Sequence, residues 1–192
     1  IMLGMAPVGI HPATLLAAPA RVAVILGDLT VGIDAGSGSS SYYTTGKATT
    51  FLTTTSGTYT NQGLNARYFL GNSFNFSLGY HMRNFSGTST AKSYSSSNYA
   101  VTYQTETFTM DAKTSVATIG IGNHWLMDWG FWIGGDWILA SSAVSESSEA
   151  KVTATSGDGV DSAKKDAEAL GDLYNVVSGS SGFAQLTIGF AF

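Results

Sequence analysis

The chain has 192 residues, no cysteine and only 11 % charged residues, less than half of the roughly 25 % that is usual in soluble domains. The absence of cysteine excludes a disulfide framework and a thiolate metal site. A formal net charge of −4 argues against a nucleic-acid partner, which is normally bound by a basic face, and no run of about 18 uncharged apolar residues follows residue 28 that could form a membrane-spanning helix.

Residues 1–28 form an apolar segment that differs from the rest of the chain. It contains all three prolines, Pro7, Pro12 and Pro19, and its first 27 residues carry a single charge, Arg21. Because the segment lacks period-two alternation and proline cannot donate to a β-ladder, it makes a poor pair of membrane strands. We therefore predict a separate N-terminal segment, with a short helix possible over 14–26.

Residues 29–192 predict an all-β domain of long antiparallel strands. Apolar and polar residues alternate with period two, as where Phe76, Leu78 and Tyr80 are separated by Ser77 and Gly79. Six segments show this pattern: 29–36, 63–70, 74–83, 116–127, 131–140 and 183–192. We interpret them as three transmembrane hairpins.

The connections alternate between short and long. Residues 71–73 and 128–130 have the composition of tight turns, whereas 37–62, 84–115 and 141–182 are long and rich in serine, threonine and tyrosine. Short turns at one end and long loops at the other are typical of an outer-membrane β-sheet, with the short turns in the periplasm. Within the last loop, apolar spacing near 161–177 predicts a helix, either a solvated loop helix or a cap over a lumen.

The two faces of the predicted sheet differ in chemistry. One face is apolar and the other carries nearly all intrastrand charges, which must be paired or hydrated at membrane depth. We predict a lumen-facing polar network of Asp34, Arg67, His81, Arg83, His124 and Asp136. Aromatic residues near the short turns predict a girdle at one membrane interface, formed by Tyr68, Phe74, Trp125, Trp129, Phe131, Trp132 and Phe190.

The last strand, Gln185-Leu-Thr-Ile-Gly-Phe-Ala-Phe192, resembles the C-terminal targeting signal of Gram-negative outer-membrane β-barrel proteins. The segments ARYFLGNSFNFSLGY and GNHWLMDWGFWIGGDW look like the periplasmic hairpins of that class. The resemblance implies a protein of the Gram-negative outer membrane, surrounded by lipid. It also implies that the barrel-assembly machinery recognises Leu186, Ile188, Phe190 and Phe192 during biogenesis.

Six strands do not determine how the two edges of the sheet are paired. Single-chain barrels of this class have eight strands or more, and an open edge would expose unpaired backbone groups to lipid. Either neighbouring protomers complete a composite wall, or two further strands are hidden in the chain and close an eight-stranded monomeric barrel. The proline-containing segment 1–28 does not fit the filled lumen of a small barrel, so we favour a homo-oligomer.

The predicted function follows from this architecture. We expect a porin-like or lipid-enclosing assembly; the alternative is a monomeric barrel that acts as an adhesin or binding module through its extracellular loops. No catalytic, cofactor or metal site is predicted, because His81 and His124 are explained by the inner polar face and Ser89-Thr-Ala-Lys92 lacks the companion motifs of an acyl-enzyme. We therefore expect a protein that is not an enzyme and binds no nucleic acid.

Overall fold

In the computed structural model, the described residues form eight antiparallel β-strands. Their bounds are β1 Met2–Ile10, β2 Ala20–Leu26, β3 Leu29–Thr45, β4 Leu52–Leu70, β5 Phe74–Ser97, β6 Ala100–Leu126, β7 Phe131–Ala154 and β8 Gly182–Ala191. The structure describes residues 1–10, 19–45, 52–71, 73–97, 100–154, 172, 174–176 and 182–192. Within these residues, no helix has the length and apolar character needed to cross a bilayer.

The sheet closes into a barrel within one chain. Each strand pairs with the next along the sequence, and β1 pairs with β8 from Met2 opposite Ala191 to Ile10 opposite Phe183. The prediction of a long-stranded antiparallel sheet is confirmed, but the count of about six strands is too low. Closure by neighbouring protomers is not required, because the ring has the eight strands of the alternative prediction.

The two additional strands come from the segment that we expected to lie outside the sheet. β2 alternates in burial, with Arg21 and Ala23 inside and Val22 and Val24 outside. This alternation is hidden in the sequence because the inward residue Ala23 is itself apolar. Gly27 adopts a positive φ of 63°, which forms the tight turn that joins β2 to β3.

The prolines of the N-terminal segment do not prevent strand formation where the structure describes them. The register between β1 and β8 shifts between Met5 and Val8, and Pro7 lies within this irregularity. A proline is tolerated there because a shifted register does not need its missing N–H. Pro19 immediately precedes β2, and Pro12 lies outside the described residues.

The strands are longer than the sequence pattern indicates on the side of the long connections. β5 and β6 pair continuously from Phe74 opposite Asn123 to Ser97 opposite Ala100, although the alternating segments covered less than half of this hairpin. The helix expected near 161–177 falls mostly outside the described residues. Asp172 and residues 174–176 have helical conformation.

An apolar cluster lies inside the barrel near the short turns. Trp132 is 3 % exposed and packs inside the barrel against Met2 and Ala23. Its place in the predicted outer girdle is therefore wrong. Glycine makes room for the indole, since a Cβ on Gly189 would overlap Trp132 Nε1 and one on Gly4 would overlap the indole ring.

Candidate functional site

A band of exposed apolar side chains surrounds the end of the barrel that carries the short turns. On β5 the outward residues are Phe74, Phe76, Leu78, Tyr80 and Met82, which are between 37 % and 59 % exposed. Eight residue steps separate the first from the last, about 26 Å along the strand at 3.3 Å per residue. With a tilt near 40°, this corresponds to an apolar band about 20 Å tall.

The upper limit of the band follows the strand register. Met82 pairs with Gln62 on β4, and the outward residues of the next row are Ser37, Thr60 and Asn84. Beyond this row the outer surface of β3, β4 and β5 is lined by hydroxyl groups, including those of Ser39, Ser41, Ser56, Thr58, Ser86 and Thr88. The surface therefore changes from apolar to polar within one or two residues on each strand.

The aromatic residues predicted for the girdle lie on the outside near the short turns, apart from Trp132. Tyr68, Phe74, Trp125, Trp129 and Phe190 are between 37 % and 66 % exposed. Phe131, partly buried, stacks on Trp129 with ring centroids 5.1 Å apart and contacts Phe190 edge-on at 5.5 Å. These rings form an aromatic patch at the lower border of the apolar band.

The residues predicted as an assembly signal share the outward face of β8. Leu186, Phe190 and Phe192 are exposed, and Ile188 is partly buried between its neighbours. The opposite face of β8 contributes Gln185 and Thr187 to the lumen, where both are buried.

The centre of the lumen contains an ion pair with two attached polar side chains. Arg67 Nη1 donates to Asp136 Oδ1 at 2.6 Å, and Nη2 donates to Oδ2 at 2.9 Å. Arg67 Nη1 also donates to Asn75 Oδ1 at 3.1 Å, and it lies 2.9 Å from Nδ1 and 3.1 Å from Nε2 of His124. Because a guanidinium has donors only, the imidazole of His124 is the acceptor in that contact. Three of the six predicted network residues thus meet here: Arg67, His124 and Asp136.

A second ion pair joins β2 and β3. Arg21 Nε donates to Asp34 Oδ1 at 2.6 Å and Nη2 donates to Oδ2 at 2.9 Å. Sequence reasoning missed Arg21, although counting back from a turn at Gly27 and Asp28 places it directly opposite Asp34 in the β2–β3 register. The two ion pairs lie close enough for Arg21 and Asp136 to interact electrostatically.

The remaining two predicted network residues, His81 and Arg83, lie higher in the lumen, and His81 interacts electrostatically with Asp34 and Arg83. His81 points inward beside Gly63 and Gly79, and its Nδ1 has no hydrogen-bond partner in the described protein. Arg83 is 2 % exposed and lies near Tyr59 and a second tyrosine, Tyr174. The predicted network residues thus occupy successive levels along the barrel axis.

The upper layer includes part of the connection between β7 and β8. Tyr174 contacts Tyr59 edge-on at 6.0 Å and Phe85 at 4.9 Å between ring centroids. Asn175 is 4 % exposed and accepts a 2.8 Å hydrogen bond from Thr114. We call residues 174–176 the mouth segment.

Described residues of these layers border a vestibule and a smaller polar chamber in the lumen. A vestibule of about 190 Å³ opens at the short-turn end and is bordered by Met2, Thr30, His124 and Trp132. A smaller polar chamber lies above the ion pairs and below Arg83. Among the described residues, no group of three or more histidine, aspartate or glutamate side chains could hold a metal ion. Comparisons with protein-family models, with curated proteins and with solved structures found no match for this chain.

Proposed function

We propose that this chain is an integral outer-membrane β-barrel protein that works as a monomer and presents its long outer hairpins as a binding surface. The observation that carries the proposal is the band of exposed apolar side chains around the barrel. The lumen, by contrast, holds buried charges and amides. This inside-out distribution suits a barrel whose outer face meets hydrocarbon.

The extent of the band supports a lipid environment over an aqueous one. Soluble monomers rarely expose a contiguous apolar patch of more than a few hundred Å². Here, large exposed apolar side chains occur on β2 to β8, among them Val22, Ile33, Leu64, Ile119 and Leu186. Its height of about 20 Å approaches the apolar band of about 25 Å that is typical of outer-membrane barrels.

Closure within one chain favours a monomer over the oligomeric wall. A composite wall needs free strand edges at membrane depth, whereas β1 and β8 pair with each other along seven residue pairs. Along these described pairs, β1 and β8 have no free edge to recruit a neighbour. The alternative is a homo-oligomer. A measurement of the particle mass in detergent would distinguish it from the monomer.

The filled lumen favours a role at the outer surface over transport. Arg67, Asp136 and Trp132 are each less than 5 % exposed and occupy the middle and lower lumen. The β2–β3 and β7–β8 pairings end at Ala35 and Leu139, so the sheet above the apolar band consists of β3 to β7. This part of the sheet is rich in serine and threonine. We therefore assign the function to this sheet, in the manner of an adhesin or binding module.

Single-tryptophan variants in vesicles with brominated phosphatidylcholine test membrane insertion. The chain has four tryptophans; replacing three by phenylalanine leaves one reporter at a time. Trp137 is 52 % exposed on β7, six residues after Phe131 at the start of that strand, and Trp129 is 66 % exposed at a short turn, whereas Trp132 is buried in the lumen. We expect deep bromines to quench Trp137, shallow bromines to quench Trp129, and neither to quench Trp132. Equal quenching of all three, or none, would refute the proposed orientation.

Planar-bilayer recording tests the closed lumen. The wild-type protein is expected to produce no stable conductance steps, because the Arg67–Asp136 pair fills the barrel centre. Regular open steps from a pure sample would instead favour the porin-like role.

Shortening one hairpin tests the binding role. Thr88 and Thr109 face each other across β5 and β6, so deleting residues 89–108 and inserting a two-residue turn leaves the lower barrel intact. The shortened protein is expected to keep the same tryptophan quenching while its vesicles lose adherence to glycan- or protein-coated surfaces. If wild-type vesicles adhere and the shortened protein adheres equally, this hairpin is not the binding surface.

A further inference from the structure

The vestibule at the short-turn end differs from the middle of the lumen, because most of the side chains that line it are apolar. Its inner end is formed by the level of Arg67 and His124, above which Asp136 lies. One step further along the inner face the chemistry changes: Phe69 follows Arg67 by two residues on β4, and Leu126 follows His124 by two on β6. The apolar lining consists of Met2, Ile25, Phe69, Trp125, Leu126 and Trp132.

Part of this apolar surface is in contact with solvent. Ile25 pairs with Thr30 and Leu126 pairs with Trp132, so both side chains belong to the inner face of the sheet. Ile25 is nevertheless 36 % exposed and Leu126 is 56 % exposed. Removing apolar surface from water is favourable, so a ligand with an apolar body would be stabilised by covering these side chains.

The inner end of the vestibule is polar. Thr30, Arg67 and His124 are each 4 % exposed and contribute to its lining. The Thr30 hydroxyl can both donate and accept a hydrogen bond. Among the described lining residues, the charge of Arg67 is already paired with Asp136, and the carboxylate of Asp28 lies on an exposed turn residue. This end of the vestibule therefore offers hydrogen bonds, but it does not favour an anionic ligand.

The volume of the vestibule limits the size of its ligand. A cavity of about 150 Å³ with apolar walls holds one benzene molecule. The vestibule has a volume of about 190 Å³, which is enough for one ring with a small substituent. Small-molecule sites of this kind, with apolar walls and a few polar groups that fix the orientation, are found in the mouths of β-barrels.

We propose that the vestibule is a binding site for a small uncharged molecule with a ring-sized apolar body and one hydrogen-bonding end. The body lies against Ile25, Phe69 and Leu126, and the polar end points to Thr30 and His124. A phenol has this chemistry. The site belongs to the barrel interior, so it rests neither on membrane insertion nor on the binding role of the outer hairpins.

Fluorescence quenching by 4-bromophenol tests the site with the single-tryptophan proteins in detergent micelles. This probe is an uncharged ring with one hydroxyl group, and its bromine quenches tryptophan at short range. We expect the quenching of the Trp132 reporter to saturate with probe concentration, because this indole borders the vestibule. The Trp137 reporter, 52 % exposed on the outer face, should be quenched in proportion to the probe concentration without saturation.

Variants of the Trp132 reporter locate the bound probe. Thr30→Leu fills the inner end and removes the hydroxyl, so it should weaken binding by about tenfold or more. The matched control is Val31→Leu at the next residue, which is 43 % exposed on the outer face and should leave the affinity unchanged. If Thr30→Leu does not fold, Leu126→Ser removes apolar contact at an exposed position and should weaken binding about fivefold.

The preference for an uncharged ligand is tested with 4-bromobenzoate, which has a carboxylate in place of the hydroxyl and should bind about tenfold more weakly. Equal affinity of the two probes would overturn this preference. Unsaturable quenching of Trp132, or saturable quenching that neither Thr30→Leu nor Leu126→Ser weakens, would overturn the site. If brominated acyl chains quench Trp132 in vesicles, a lipid chain occupies the vestibule and the small-molecule proposal is wrong.

Discussion

The ion pair of Arg67 with Asp136 allows a quantitative test of how the lumen is stabilised. Both side chains are 4 % exposed, and two hydrogen bonds of 2.6 and 2.9 Å join them. Replacing Asp136 with alanine leaves the guanidinium buried with only the neutral groups of Asn75 and His124 beside it. Removing one partner of a buried pair typically costs 3–5 kcal/mol, about two to four powers of ten in the unfolding equilibrium.

A double-mutant cycle separates the cost of an unpaired charge from the value of the pair. Arg67→Met retains an unbranched side chain but leaves the Asp136 carboxylate unpaired, so this single variant is also expected to lose about 3–5 kcal/mol. The double variant Arg67→Met/Asp136→Ala removes both charges. Asn75 and His124 still have their mutual 3.1 Å contact in that variant. We expect the double variant to be more stable than either single variant.

Urea unfolding of the folded barrel, followed by tryptophan fluorescence, measures these differences. With a slope of about 2 kcal/mol per molar urea, Asp136→Ala should lower the midpoint by about 1.5–2.5 M. The control is Glu149→Ala, which breaks the Lys151–Glu149 pair of side chains that are 70 % and 67 % exposed. This control should not move the midpoint, because solvent screens the pair. The reasoning fails if Asp136→Ala costs less than about 1 kcal/mol, or if the losses of the two single variants simply add.

Five further substitutions, of which Gly135→Ala and Trp129→Ala are controls, test the packing of the barrel by the same unfolding measurement. Gly189→Ala should destabilise the barrel by about 1–3 kcal/mol, because the new Cβ would overlap Trp132. Gly135→Ala should cost clearly less, because the nearest atom to its new Cβ is a backbone oxygen at 3.3 Å. Equal losses of stability would contradict the packing described. Trp132→Ala should cost about 3–5 kcal/mol by leaving a cavity. Trp129→Ala, at a 66 % exposed turn position, should cost much less. If Trp129→Ala costs more stability than Trp132→Ala, the lumen lies on the opposite face of the sheet from the one described. Gly71→Ala forces a φ of +70° on a residue with a Cβ and should cost about 1 kcal/mol of stability. An unchanged stability would mean that the turn differs from the one described.

The alternation of side chains along the chain was sufficient to predict a long-stranded antiparallel sheet with one apolar and one polar face. Residues such as Phe76, Ser77 and Leu78 define the faces by themselves, because successive side chains of a strand point to opposite sides. The tight turns near Gly71 and Gly130 were also readable from the sequence, and both glycines have positive φ. Where one face contains small apolar residues, as in β2, the same signal disappears.

Strand number and the composition of the lumen were decided by contacts between distant parts of the chain. β1 and β8 close the ring through pairs such as Met2 with Ala191, which nothing in the local pattern of either segment indicates. The inward position of Trp132 depends on the space left by Gly4 and Gly189, which belong to other strands.

The sequence by itself therefore determined the kind of sheet and the chemistry of its two faces, because strand periodicity is a local property of the backbone. The tertiary structure decided how the sheet closes, that Arg21 pairs with Asp34 and Arg67 with Asp136, and that Tyr174 packs over the lumen. Each of these outcomes depends on the register of strands that are far apart in the chain. Register is set by the sum of many backbone and side-chain contacts around the ring, and no single segment contains that information.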